Sequence, residues 1–176
     1  HILFDDRIIT LVLASPAALA ASLNVMGDVA ELRRAEESPS FFIELGASQT
    51  DWTLDLAKRT IHAESDALAV CVLDTGVNRT HPLLDYALAP EDCHTYDQSW
   101  GTYDHNGHGT EMAGLVLYGD LLPHLTGTGK VTLTHCLESV KILPPTGKND
   151  PGLYAAITAE AVSRPEVQAP ERQRIF

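Results

Sequence analysis

Val70-Cys71-Val72-Leu73-Asp74-Thr75-Gly76-Val77 is a short apolar run that ends in a carboxylate and a Gly turn. A buried strand delivers an acid to the rim of a sheet in this way. Further along, Asn106-Gly107-His108-Gly109-Thr110-Glu111-Met112-Ala113-Gly114 sets a histidine between two glycines at the start of an apolar helix. A carboxylate at a strand end holds an imidazole in one tautomer and stabilises its charged form. The other ring nitrogen is then free to take a proton from a hydroxyl. Asp74 and His108 fit those two roles, and the rest of the chain is organised around residues 70–118.

Working outward, residues 67–73 read as a strand and 75–82 as a loop. Residues 83–107 hold too many Asp, Pro, Gly and His for regular structure throughout. Residues 110–118 predict a buried helix, because Met112, Ala113, Leu115, Val116 and Leu117 make a nearly all-apolar cylinder that Gly119-Asp120 stops. Residues 133–143 predict a strand halted by Pro144-Pro145. After a turn over 147–151, residues 152–163 predict a helix with Leu153, Ala156, Ile157 and Ala161 on one stripe. Another buried strand is expected to begin at Arg174-Ile175-Phe176. Strand, helix, strand, helix is the signature of an α/β fold: a parallel sheet with crossover helices on its faces.

Upstream, residues 7–14 are rich in β-branched side chains and predict a strand buried on both faces. Ser15 as N-cap and Pro16 in the first turn start a helix through Leu23, which Asn24 and Gly27 end. Residues 28–33 read as a second strand by alternation or a second helix by propensity; the Gly27 break favours the strand, completing a small strand-helix-strand unit. Ser38-Pro39 can begin a short helix through Phe41, Phe42 and Leu45. Thr50 or Asp51 then caps a helix carrying Trp52, Leu54, Leu56 and Ala57, and residues 61–66 read as a polar linker. The expected domains are an N-terminal extension over 1–46, a helix and linker over 47–66, and an α/β domain over 67–176.

The 176 residues carry 12 basic and 24 acidic side chains, a formal charge of −12. That sign is opposite to a phosphate-binding surface, so nucleic acid is not an expected partner. Cys71, Cys93 and Cys136 are widely spaced with no Cys-x-x-Cys pair, and read as buried thiols in a reducing, cytoplasmic compartment. Residues 8–20 superficially suggest a signal peptide. Asp5-Asp6 gives the leader the wrong charge, and Pro16 comes too early for a spanning helix, so neither a signal nor a membrane span is expected.

Val72-Leu73-Asp74-Thr75-Gly76-Val77, then His81-Pro82, then Gly107-His108-Gly109-Thr110 with Met112-Ala113-Gly114 resemble the subtilisin-like serine proteases. The Asp box, His-Pro and His box stand in that family's order. The resemblance extends to Glu138-Ser139-Val140-Lys141-Ile142-Leu143 and Gly152-Leu153-Tyr154-Ala155-Ala156-Ile157, and covers roughly residues 66–176. It implies a three-layer subtilisin-like sheet, peptide-bond hydrolysis by an Asp-His-Ser triad with Asp74 and His108 catalytic, no cofactor, and a protein or peptide substrate. Glu111 stands where many members have His, and Leu117-Tyr118-Gly119 replaces small residues. No Gly-Thr-Ser-x-Ala segment follows His108, and Ser139 and Ser163 are the only serines after it. The nucleophile and the family's oxyanion Asn are expected beyond Phe176, with residues 1–46 either propeptide-like or a plain extension.

Other readings compete. A non-enzymatic module keeping the fold without the chemistry is one; a metallohydrolase on Asp74, Asp104 and His108 is another, with His105 nearby. Gly127-Thr128-Gly129-Lys130 lacks the first Gly of a P-loop and reads as a loop tip. Cys71 sits in an apolar strand, more core than nucleophile, and His135 and Cys136 point to opposite faces of one. A sheet cut short exposes an edge, so self-association, chain swapping or partly disordered loops near 85–105 and 120–132 are expected.

Overall fold

A computed structural model describes residues 1–10, 12–23, 27, 29–33 and 46–176. The chain divides into two compact units, His1–Pro39 and Ser40–Phe176. In the first, β1 (Ile2–Leu3) pairs antiparallel with β2 (Ile8–Ile9). Helix α1 (Pro16–Leu23) begins where Ser15 Oγ accepts a hydrogen bond from Ala18 N at 3.2 Å, the cap that its sequence predicts. The strand expected over 7–14 shrinks to Ile8–Ile9, and Ile8, Ile9, Val12 and Leu13 are exposed. A two-residue hairpin offers no neighbour to cover a second face, so β-branched composition alone does not bury the run. Residues 29–33 lie in no strand among the described residues. The helix expected from Ser38 through Leu45 lies outside the described residues.

The second unit runs through α2 (Gln49–Arg59), β3 (Thr60–Ile61), β4 (Ala69–Asp74), β5 (Cys93–Thr95), α3 (His108–Tyr118), α4 (Leu121–Thr126), β6 (Val131–Thr132), β7 (Cys136–Lys141), α5 (Tyr154–Gln168) and β8 (Arg174–Ile175). Its main sheet has four strands in the order β5-β7-β4-β8, and every pairing is parallel. This is the α/β architecture with flanking helices that the alternating pattern implies. The strand anticipated at residue 174 pairs Ala69 with Arg174 and Val70 with Ile175.

Several details differ from the expectation. The N-cap of α2 is Ser48 rather than Thr50 or Asp51, because a short 3-10 turn, Gly46–Ser48, leads into the helix. Ile61, expected to open the linker, instead forms a strand with Thr60, parallel to β6. The intervals expected to be irregular contain 3-10 turns at Pro90–Asp92 and Gln98–Trp100, strand β5, helix α4 and strand β6. The same aspartates that argue against long elements cap short ones: Asp97 Oδ1 accepts from Ser99 N at 2.8 Å, and Asp120 Oδ1 from Leu122 N at 2.9 Å.

Alternation along the strands sends side chains to two cores. Val72 and Leu137 join Leu56, Leu84, Leu88, Ala113 and Leu117 on the α3 face, while Cys71 and Val140 meet Ala161 of α5 on the other. Helices on opposite faces are what a chain needs when it steps to one side of β4 and later returns to the other. The α5 face also buries an ion cluster. Glu138 is fully buried and accepts from Arg172 Nη1 at 3.0 Å and Arg174 Nε at 2.9 Å; Arg172 also reaches Asp92 at 2.7 Å. Arg174 Nη2 closes the carbonyl end of α5 through Pro165 O at 3.0 Å and Ala169 O at 2.8 Å. A buried carboxylate survives only with such pairing, and removing one partner costs about 3–5 kcal/mol.

In urea denaturation, Leu137→Ala is expected to lower stability by about 2–5 kcal/mol, because it empties a fully buried position in the sheet. Leu115→Ala, on the exposed side of α3, is expected to change it by about 0.5 kcal/mol or less. Equal losses would contradict the assignment of faces.

Candidate active site

Strand β4 has a neighbour on each side, so its end is a fixed point. The carbonyl of its last residue, Asp74, accepts from Ile142 N at 2.8 Å. The Asp74 side chain is 13 % exposed, and its Oδ1 accepts from Thr75 N at 2.7 Å. Opposite it, His108 is the first residue of α3, with its backbone N held by Asn106 Oδ1 at 2.9 Å. His108 Nδ1 lies 2.8 Å from Asp74 Oδ2 and 3.0 Å from Oδ1. Against a carboxylate, that nitrogen carries the hydrogen, which leaves Nε2 as the basic one in the neutral ring. The His108 side chain is 60 % exposed, and its Nε2 has no hydrogen-bond partner among the described residues.

The hydrogen bond to Asp74 raises the pKa of His108 above its ordinary 6.5, and the charge of Asp74 adds to this. The slight burial of the ring opposes it, and the carboxylates of Glu111 and Asp104 contribute in the same direction as Asp74.

The two residues meet because the backbones behind them touch. Gly76 has φ of 98°, and a side chain there would run into Thr102 O at 2.5 Å and Tyr103 O at 2.8 Å. A Cβ on Gly109 would collide with the carbonyl oxygen of Gly76 and stand 3.2 Å from Asp74 Cβ. Only glycine lets the helix start approach the strand end this closely.

Asp104 occupies the space beneath. It is 5 % exposed, and its Oδ1 accepts from Thr75 Oγ1 at 2.8 Å, Gly107 N at 2.9 Å and Asn106 N at 3.1 Å. Its Oδ2 accepts from Thr110 N at 2.8 Å and Thr110 Oγ1 at 2.5 Å. Desolvation pushes its pKa up, but the bonds from Thr110, Gly107 and Thr75 outweigh this and hold the carboxyl far below the usual carboxylate range. Lys141, 1 % exposed, pins the preceding loop by donating to Tyr103 O at 2.7 Å and Trp100 O at 3.3 Å.

Beside the pair, at the carboxyl ends of β4 and β7, lies a cavity of about 570 Å³. Thr75, His105, Asn106, Ile142, Leu143 and Tyr154 are among its lining residues. Clefts at this edge of a parallel sheet, where the chain changes direction, are the usual ligand sites of α/β folds.

Of the residues singled out in the sequence, Asp74 and His108 come together. Asp104 does not join them as a metal ligand, since five protein donors already take up its carboxylate. His105 has a buried Nδ1 without a hydrogen-bond partner. Among the described residues, no group of three or more His, Cys, Asp or Glu is placed to hold a metal ion. Burial pushes the Cys71 thiol up to about 12 and Cys93 to about 11, so neither is a ready nucleophile. His135 bonds Val116 O and Cys136 bonds Glu64 O, which keeps that pair apart. Ser139 is buried in β7, and Ser163 donates to Glu160 O. Reading the sequence missed the roles of Asp104, Thr75 and Lys141. The Asp-x-Asn-Gly run at 104–107 is an Asx-turn signature that marks Asp104 as a backbone cap.

A family model described as Peptidase_S8, subtilase family, matches residues 65–176, more than half of the chain. No curated protein and no solved structure matches. Among the described residues, no helix is long and apolar enough to cross a membrane.

NMR titration of the 176-residue chain is expected to place His108 above pH 6.5, and Asp74→Asn to bring it back towards that value. A folded-state pKa raised above the unfolded one adds stability that is complete below about pH 6.5 and fades as pH rises through the folded value. The stability gap between the wild type and Asp74→Asn should therefore narrow on the alkaline side. A His108 pKa at or below 6.5 in the wild type would contradict the pairing. Gly109→Ala is expected to cost about 3 kcal/mol or more, because the new methyl meets backbone rather than a movable side chain.

Proposed function

The chain belongs to the subtilase family, a family of serine-type peptidases, and from that premise we propose that Asp74 and His108 serve peptide-bond hydrolysis. The observation that carries this reading is the 2.8 Å contact between His108 Nδ1 and Asp74 Oδ2, made by a ring that is otherwise largely exposed. His108 is the general base and Asp74 orients it. The hydroxyl they activate belongs to a serine carried outside residues 1–176. In the acylation step, that Oγ bonds to the scissile carbonyl carbon as its proton passes to His108 Nε2. The resulting imidazolium, stabilised by Asp74, then gives the proton to the leaving amine as the C–N bond breaks. Water repeats the sequence to release the acyl group.

The substrate is an extended peptide whose side chains enter the cavity beside the pair. Ile142, Leu143, Pro144, Tyr154 and Ile157 make much of that wall apolar, with Lys148 and Asn149 at hand for polar contacts. Activity requires neutral His108. It should therefore rise with pH through a pKa above 6.5, in the direction set by Asp74.

The test uses the product of the extended reading frame together with the 176-residue chain. In the longer product, Asp74→Asn and His108→Ala are each expected to lower kcat/KM on a protein substrate by about 10³-fold or more. The 176-residue chain is expected to show no hydrolysis and no labelling by a serine-directed phosphonate. Undiminished activity in either variant would remove the assignment.

A further inference from the structure

Among the described residues Asp104 makes no hydrogen bond to the Asp74 carboxylate or the His108 ring, yet it bonds to residues on both segments that carry them. On the strand side it receives the Thr75 hydroxyl, and the same hydroxyl oxygen accepts from Gly109 N at 3.0 Å. On the helix side it receives Gly107 N, Thr110 N and Thr110 Oγ1. Thr110 Oγ1 in turn accepts from Asn78 N at 3.0 Å, which extends the tie to the loop after β4. We propose that Asp104 is a positioning residue: with one oxygen on Thr75 and the other on Thr110, it locks the end of β4 and the start of α3 into one piece and so fixes His108 on Asp74.

The need for such a lock follows from the exposure of His108. An imidazole 60 % open to water gains little from packing, and its two short contacts to Asp74 depend on where the backbone holds it. A displacement of about 1 Å is enough to lose a productive geometry. Asp104 is suited to the task because its own position is over-determined. Lys141 anchors residues 100 and 103 just before it, the Gly76 turn packs on residues 102 and 103, and its carboxylate has five donors. Burial pulls the pKa of Lys141 below its ordinary value, and the negative charge of Asp104 offsets part of that.

The proposal rests on the reading of His108 as the base, and its test looks at the ring rather than at hydrolysis. In 15N-resolved NMR of the 176-residue chain, neutral wild-type His108 is expected to be the Nδ1–H tautomer, since Nδ1 faces a carboxylate. Asp104→Asn places an amide against the surrounding donors. It should admit the Nε2–H tautomer and lower the His108 pKa. The charged groups acting on that ring are Asp74 from the sheet, Glu111 from its own helix and Asp104 itself, with Lys141 facing Asp104.

Because Asp104→Asn also removes a charge, Thr110→Val is the sharper variant. It keeps every charge, deletes one anchor, and is expected to mix the tautomers, whereas Thr110→Ser is expected to restore the wild-type ring. If Asp104→Asn does not fold, the Val and Ser pair at 110 carries the test alone. A pure Nδ1–H tautomer in Thr110→Val, with only a lower unfolding midpoint, would show that the cluster is merely structural and would overturn the proposal. Tautomer mixing in these variants, beside a longer gene product that hydrolyses nothing, would uphold the positioning role and defeat the protease reading by itself.

Discussion

The contact on which this structure depends is between two backbones: the carbonyl of Gly76 against the α-carbon of Gly109. Strand β4 and helix α3 are far apart in the chain, and each is stabilised by its own apolar face. Nothing in those faces sets the distance between the end of one and the start of the other. The missing side chain at 109 does so, by allowing an approach that any Cβ would block, while the one missing at 76 admits the loop at residues 102–103. Every hydrogen bond of the pair, and of the carboxylate beneath it, presupposes that approach.

The sheet explains why the meeting point lies where it does. β4 is flanked by β7 and β8, which the chain visits on opposite sides. Crossover helices packed on opposite faces leave the carboxyl ends of β4 and β7 uncovered, and that gap is the cavity beside His108. Polar groups at this rim are worth more than elsewhere because low-dielectric walls stand behind them. Asp104 and Lys141 show the effect in opposite directions: the first keeps its charge through many donors, the second holds an ammonium where water barely reaches.

Much of this was legible in the sequence, and what was not had physical reasons. The strand over 69–74 and the helix over 108–118 announce themselves through apolar runs bounded by glycine, and so does the residue pair at their ends. Residues 7–14 misled because β-branched composition reports fitness for a pleated surface, whereas burial depends on what packs against it, and Ile8, Ile9, Val12 and Leu13 stay exposed. The short elements between 85 and 132 were hidden because Asp and Gly mark caps and irregular loops alike. Asp104 was visible only as an acid near a histidine, which suggests a ligand as readily as a cap. The choice between those two depended on Thr75 and Thr110, whose hydroxyls point at it only after folding.

The ion cluster on the α5 face bears on the order of assembly. Glu138 lies in the middle of the sheet, but the arginines that neutralise it are residues 172 and 174, supplied long after β7 has been made. A chain emerging from the ribosome thus holds an uncompensated acid in its central layer until its last described strand is in reach. Until those arginines arrive, burying the Glu138 carboxylate carries the cost of an unpaired charge. Docking of β8 quenches that charge and ties off the end of α5 in the same movement.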